Sequence, residues 1–209
     1  MPTISSGRRL RPALVITVAV VVVAAVAVGG FLLNGGRVTL GSVAEGPLEA
    51  GVDRQITLPL RAQDKGAAWG SLALRNGSPD SPIALDSVAL ESTTGRLTQL
   101  TSPYVWDENR WKVAGSGSLE AYQLPLPAAW AQVPKHPLRG YLLQPATSGP
   151  AGDEAAVPEA EVVFEFGVPA KASGFKSVAV DYHIGAVAYR KTFKIGFTLC
   201  PPNDPAPCD

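Results

Sequence analysis

Asp181 and His183 have the chemistry of a general base and its orienting acid, and they lie two residues apart near the C-terminus. In an extended strand, residues two apart share one face, so the carboxylate could orient the imidazole for proton transfer. The sequence contains no G-x-S-x-G motif that would supply a nucleophile. The other interpretation, an ion pair on a solvated sheet face, is therefore favoured, and no catalytic residue is predicted.

Metal binding is not indicated by the remaining polar residues. The second histidine, His136, lies between Lys135 and Pro137 and is far from His183 in the sequence. The sequence has no D-x-D-x-D-G loop of the calcium-binding kind. We therefore predict neither a metal site nor a cofactor.

Both cysteines of the chain, Cys200 and Cys208, lie in the C-terminal stretch CPPNDPAPC. The pair predicts a disulfide that closes a short proline-rich loop, provided that this part of the chain is outside the cytoplasm. The alternative, a metal site with two thiolates, lacks further ligands nearby.

Aromatic residues are concentrated in the segment 102–141, which holds three of the four tryptophans. This segment has many prolines and an irregular pattern, as is typical of loops. Large rings on loops can form a binding surface, but they can also close the ends of a core. Both interpretations stay open, and the candidate binding residues are Tyr104, Trp106, Trp111 and Trp130.

The N-terminal region predicts a membrane anchor. Residues 13–33 are uncharged and largely apolar, which is enough for a helix that crosses a bilayer. Residues 1–12 carry three arginines and no acid, so we expect this stub in the cytoplasm and the remainder outside. A cleaved signal peptide with a site at Ala25-Val26-Ala27 is the alternative, and it also places the remainder outside.

The charge of the outer region argues against a nucleic-acid partner. All 18 acidic residues lie from Glu45 onward, whereas 14 of the 18 basic residues follow Arg37. The outer region is therefore acidic and has no basic stripe.

An all-β fold is predicted after a glycine-rich tether at 34–53. From residue 54 to 209, short apolar runs alternate with Gly, Pro, Asn and Asp. The run 160–168 alternates with Glu161 and Glu165 outward, and the apolar pattern at 83–92 shifts near Asp86, which suggests a β-bulge. We expect an immunoglobulin-like antiparallel β-sandwich, preceded by the transmembrane helix.

Two stretches carry a family resemblance: SLALRNGSPDSPIALDSVALES and the later V-x-Y-x-x-G-x-x-Y hairpin that runs to a cysteine. With the anchor, they make the chain similar to small actinobacterial single-pass membrane-anchored proteins of uncharacterised function. The resemblance implies location and fold and brings no catalytic residue. The matching residues are Asn76, Gly77, Pro82, Ile83, Val180, Tyr182, Gly185, Tyr189 and Cys200.

These observations predict a membrane-anchored, extracytoplasmic binding domain without catalytic activity. Its expected partner is an envelope protein or cell-wall glycan. The alternatives are a cell-wall-associated enzyme and the ectodomain of a signalling complex, although the stub 1–12 is too short to fold as an output domain.

Overall fold

The computed structural model describes residues 38–39, 46–51, 53–114, 119–145, 159–204 and 208. The predicted cytoplasmic stub 1–12, the predicted transmembrane helix 13–33 with its alternative cleavage site, and most of the tether 34–53 lie outside these residues. Among the described residues, no helix has the length and apolar character needed to cross a membrane.

The chain divides into two compact units, Met1–Thr39 and Leu40–Asp209. Strand β1 (Val38–Thr39) is the described part of the first unit. The second unit is mostly β-sheet, as the sequence predicts. Its elements are β2 (Leu48–Ala50), β3 (Arg54–Pro59), β4 (Gly66–Asn76), β5 (Ile83–Glu91), β6 (Tyr104–Trp106), α1 (Arg110–Ala114), β7 (Ala121–Gln123), α2 (Ala128–Ala131), β8 (His136–Pro137), β9 (Leu142–Leu143), β10 (Glu159–Gly167), β11 (Ser173–Phe175), β12 (Ser177–Ile184), β13 (Val187–Phe193) and β14 (Ile195–Cys200).

Three sheets organise the second unit. In the first, β13, β12, β5 and β9 lie side by side in that order. The second has the order β2-β4-β10-β6-β8, with β7 also paired to β4, and the third has the order β11-β14-β3. The pairs in the second unit are antiparallel except β14 with β3, which run parallel.

The main core is built from the inward faces of these strands. Trp69 of β4 lies at its centre, with its ring centroid 5.0 Å from that of Phe175 in β11 and 5.7 Å from that of Phe164 in β10. Phe166 stacks on Phe197 of β14 at 6.0 Å. These five rings are buried and join the second sheet to the third, so apolar burial holds the two together.

The β-bulge predicted in β5 is confirmed. Asp181 of β12 pairs with Ser87, but the next residue, Tyr182, pairs with Leu85, so Asp86 is the extra residue of β5. Before the bulge, the odd-numbered residues Ile83 and Leu85 face the core. After it, the extra residue lets the even-numbered Val88 and Leu90 continue the apolar pattern.

The C-terminal hairpin forms, but its predicted register is wrong by two residues. The alternating pattern predicts that Val180 faces Tyr189, whereas Val180 pairs with Lys191 and Tyr182 with Tyr189. The turn consists of Gly185, at φ +56°, and the residue after it. A shift of two residues keeps every side chain on the same face, so alternation alone does not distinguish the two registers.

Two connections differ from the sequence interpretation because the chain changes sheets. The apolar alternation from Val187 to Leu199 predicts one final strand, but the structure has two, β13 and β14, which lie in different sheets although their apolar residues share one parity. Asn76-Gly77 is a typical hairpin turn, but here the turn joins β4 to β5 of another sheet. The buried Asn76 side chain donates to the carbonyls of Ser81 and Leu143, at 2.9 Å each, and so holds this crossing.

Folded structure begins within the segment that composition assigns to the tether. Strand β2 pairs with the end of β4, and Leu48 is fully buried in the main core. Burial of Leu48 and pairing of the backbone with β4 together hold this stretch, which has no repeating pattern of its own.

The predicted disulfide between Cys200 and Cys208 is present, with a Cα–Cα distance of 6.2 Å. Cys200 ends β14 and is fully buried, and its carbonyl accepts a 2.9 Å hydrogen bond from the amide of Leu60. The strand that carries Cys200 is therefore paired on both sides, independently of the bridge.

We expect Cys200→Ser to lower the free energy of unfolding by about 1–2 kcal/mol and to leave the domain folded, because the bridge closes only a short, proline-stiffened loop. Thermal unfolding should show a fall in Tm of a few degrees, and thiol titration should find one reactive group at Cys208. Cys208→Ser is the matched variant, since it breaks the same bridge at a less buried position. Loss of the folded state in both variants would mean that the bridge holds the sheet itself.

Candidate functional site

Three of the four aromatic residues that are candidates for a binding surface lie inside the protein. Tyr104, Trp106 and Trp130 are exposed by only 6%, 0% and 7%. The rings of Trp106 and Trp130 stack at 5.2 Å, and Tyr104 meets Trp106 edge to face at 5.7 Å. These three rings therefore do not form an exposed surface. Trp111, the fourth candidate, lies in α1.

A second core explains this burial. Tyr104 and Trp106 point to one face of β6, while Val105 between them belongs to the main core. The segment that contains α1 and α2 folds over the second face of the sheet, and the rings pack between it and the sheet. Besides the three aromatic residues, this second core contains Ala68, Leu119, Val133 and Val163.

Strand β10 is covered on both faces, which corrects the outward placement predicted for Glu161. The side chain of Glu161 is 0% exposed and forms an ion pair with Arg110, which is also 0% exposed, at 3.2 Å between Oε2 and Nε. Arg110 also donates from a terminal guanidinium nitrogen to the carbonyl of Asp107 at 3.0 Å. Alternation identifies the two faces of a strand, but it does not show that a second layer covers the polar one.

The space for this ion pair comes from a bulge in β4. Pairing with β10 shifts register between Trp69 and Leu72. At Gly70 a Cβ atom would lie only 2.9 Å from Oε1 of Glu161, so a side chain there would displace the carboxylate. That same oxygen accepts from the amide of Leu119 at 3.0 Å, while the amide of Gly70 donates to the carbonyl of Glu120. The carboxylate thus links β10 to the chain that enters β7, and the amide of Gly70 links that chain to β4.

A second carboxylate of β10 holds the rim of this layer. Oε1 of Glu165 accepts from the hydroxyl of Tyr104 and from Nζ of Lys135, each at 2.7 Å. Lys135 also lies over the Tyr104 ring, 4.3 Å from its centroid. Burial, and then the hydrogen bond to Glu165, raises the pKa of Tyr104 well above its usual value.

His183 has a different carboxylate partner from the one that the sequence suggests. Its Nδ1 donates to Oδ2 of Asp86, the bulged residue of β5, at 2.9 Å. Asp181 instead accepts from Arg190 and, at 2.7 Å, from the hydroxyl of Ser87. The imidazole is oriented as a base would be, but the nearby serine hydroxyl is directed to Asp181.

A groove of about 330 Å³ lies beside this histidine pair. The segment 102–141 supplies Ser102, Pro103 and the run Pro137, Leu138 and Arg139, while the bulge region of β5 supplies Asp86, Ser87 and Val88. The volume is within the range of small-ligand sites. Five of the eight residues that line the groove come from the segment 102–141, and none of the eight is aromatic.

A smaller cavity of about 160 Å³ lies near the start of α1 and is lined in part by Asp107, Glu108 and Tyr141. Burial, followed by the charges of Asp107 and Glu108, raises the pKa of Tyr141 to about 12. Nε2 of His136 lies 3.3 Å from Oδ2 of Asp107. In the part of the chain that the structure describes, no group of three or more His, Cys, Asp or Glu residues could hold a metal ion.

Comparison with known proteins adds no family to this geometry, since the sequence matches neither a protein-family model nor a curated protein. The groove and its surroundings are therefore the basis of the function proposed below.

The bulge residue Asp86 is the part of the site that sequence reasoning missed. The shift of apolar parity near Asp86 marks the bulge. A bulge re-aims side chains and often lies next to functional sites. That signal could have directed attention to Asp86 as the partner of His183.

We expect Trp106→Ala to lower the free energy of unfolding by about 3–5 kcal/mol, because a fully buried indole is removed from the second core. Denaturant unfolding followed by circular dichroism measures the change. The control is Tyr122→Ala, since Tyr122 is 43% exposed and its removal should cost less than about 1 kcal/mol. Equal losses in the two variants would place the Trp106 ring at the surface.

The buried ion pair gives a second stability test. Arg110→Met should lower the free energy of unfolding by about 3–5 kcal/mol, because it leaves the buried carboxylate of Glu161 without its cation. Arg190→Gln is the control: that guanidinium is 53% exposed, and loss of its ion pairs should cost less than about 1 kcal/mol.

The double variant Arg110→Met/Glu161→Leu should recover much of the loss, since no buried charge remains. If Arg110→Met is no more damaging than Arg190→Gln, the buried pair does not hold the second core.

Proposed function

We propose that the protein is a membrane-anchored, extracytoplasmic binding domain of the immunoglobulin-like β-sandwich class, without catalytic activity. In this proposal, residues 13–33 form the anchor and the folded region faces the outside of the cell. Its partner is an envelope protein or a cell-wall glycan.

The groove of about 330 Å³ is the observation that carries the proposal. Its loop residues come from the same segment as the buried rings of Tyr104, Trp106 and Trp130, which tie that segment to the sheet. Binding residues on loops that a rigid scaffold positions are common in β-proteins. The aromatic residues therefore anchor the segment that supplies one side of the groove.

The second candidate, a cell-wall enzyme, is favoured by one observation. Asp86 lines the groove and orients His183 at 2.9 Å, which is the geometry of a base and its orienting acid. A hydrolase of this kind also needs an activated nucleophile. Two serines line the groove: the hydroxyl of Ser87 donates to Asp181, and Ser102 makes no hydrogen bond to His183 among the described residues. No cysteine or lysine is among the residues that line the groove. The non-catalytic proposal is therefore preferred.

Site-specific photo-cross-linking in the native host tests the proposal on the full-length chain. A photoreactive amino acid with a short aliphatic diazirine side chain, small enough to leave the groove open, replaces Ser102 in the groove or, as control, Arg61, which is exposed and does not line the groove. We expect a discrete adduct from position 102 and none from position 61. Protease added to intact cells should remove a C-terminal tag, as the proposed orientation requires.

Equal cross-linking at the two positions, or none at either, would reject binding at the groove. The enzyme is distinguished by repeating the experiment with His183→Ala. A binding domain gives the same adduct in this variant, whereas an adduct that accumulates only in His183→Ala would indicate turnover of a substrate.

A further inference from the structure

The groove combines an apolar lining with one cation that has no partner in the described structure. We propose that it binds a peptide segment in which a carboxylate lies next to an aliphatic side chain. This inference rests on the proposed function, because it names the ligand chemistry of the same groove and favours a peptide over a glycan.

The apolar part of the lining comes from Val88, Pro103, Pro137 and Leu138. Leu138 is buried and belongs to the main core, while Val88 and Pro103 are half-buried. Proline side chains also hold the shape of the two loops, since proline fixes its own φ angle. The surface is therefore pre-formed, and it offers an aliphatic group a place to leave water.

Asp86 and Arg139 are the two charged residues of the groove. The Asp86 carboxylate accepts a hydrogen bond from His183 at 2.9 Å, so part of its charge is already balanced. Arg139 is exposed and makes no ion pair, hydrogen bond or ring contact with any residue in the described ranges. The cation is therefore the group left to recognise a charged ligand.

A carboxylate is the ligand group that suits Arg139. The planar guanidinium presents paired N–H donors that match the two oxygens of a carboxylate. A doubly charged phosphate is less suited, because Asp86 lines the same groove and the outer region carries more acid than base. The ligand is therefore expected to bear a single negative charge beside its apolar group.

The lining also distinguishes a peptide from a glycan. Sugars are commonly bound by stacking on aromatic faces, and no aromatic residue is among those that line the groove. The rings nearest in sequence, Tyr104 and Trp106, are buried in the second core. Proline and leucine contacts suit an aliphatic side chain better than a sugar ring.

The test is a titration of the full-length chain in lipid nanodiscs with labelled valine and leucine methyl groups. N-acetyl-leucine is the probe, and its uncharged counterpart N-acetyl-leucinamide is the matched control ligand. The methyl resonances of Val88 and Leu138 should shift and saturate with N-acetyl-leucine. The amide should bind about tenfold more weakly, because the charge-assisted hydrogen bonds to Arg139 are missing.

Three variants identify the groups involved. Arg139→Gln should lower the affinity for N-acetyl-leucine to that for N-acetyl-leucinamide. It should leave the affinity for N-acetyl-leucinamide unchanged. Arg61→Gln, at another exposed arginine, should change neither affinity. Ser102→Phe should fill the groove and abolish binding of both probes, while its Tm remains that of the unaltered chain because Ser102 is exposed.

Several results would overturn the inference: no methyl shifts up to the solubility of the probe, equal affinities for the acid and the amide, or no effect of Arg139→Gln. If a cross-link at residue 102 forms without any probe binding, the groove binds its partner through other chemistry and this inference fails alone. If the probe binds but no cross-link forms in cells, the ligand class stands and the proposed function fails.

Discussion

The ion pair between Arg110 and Glu161 is the constraint on which the second core depends. Both side chains are fully removed from water, so each charge must be matched by the other and by nearby backbone groups. The carboxylate accepts from the amide of Leu119, and the guanidinium donates to the carbonyl of Asp107. Two stretches that flank α1 are thereby tied to β10. The bulge at Gly70 leaves the room that the carboxylate requires.

Because β10 is covered on both faces, different residues of the segment 102–141 have different roles. The side chains of Tyr104, Trp106 and Trp130 turn inward and hold the segment to the sheet, whereas Ser102, Pro137 and Arg139 stay at the surface. A groove built in this way can be pre-formed, because the loops that line it are anchored by a buried layer. The same arrangement predicts that changes in Trp106 act on stability, and that changes in Arg139 act on ligand binding.

A single extra residue in β5 decides the chemistry next to the groove. Without the bulge at Asp86, the strand would continue its alternation, and the outward face opposite His183 would carry different side chains. With it, Asp86 both lines the groove and bonds His183, while Asp181 is left to Ser87 and Arg190. An oriented imidazole near a groove would suit catalysis, but neither serine that lines the groove is hydrogen-bonded to His183 among the described residues, so binding is preferred.

The sequence by itself determined the local features of this protein: the strands that alternate, the bulge near Asp86, the turn at Gly185 and the disulfide between Cys200 and Cys208. It also singled out the segment 102–141, which supplies five of the eight residues that line the groove. Periodicity and turn residues influence only residues that are close in the sequence. The order of residues in a single chain is therefore enough to predict these features.

Only the tertiary structure decided which strands pair, where the chain changes sheets between β13 and β14, and that Glu161 and Trp106 are buried. Those outcomes depend on contacts between residues far apart in the chain. A second layer can cover a polar face without altering its pattern, and a register shift of two residues preserves alternation, so neither leaves a local signal.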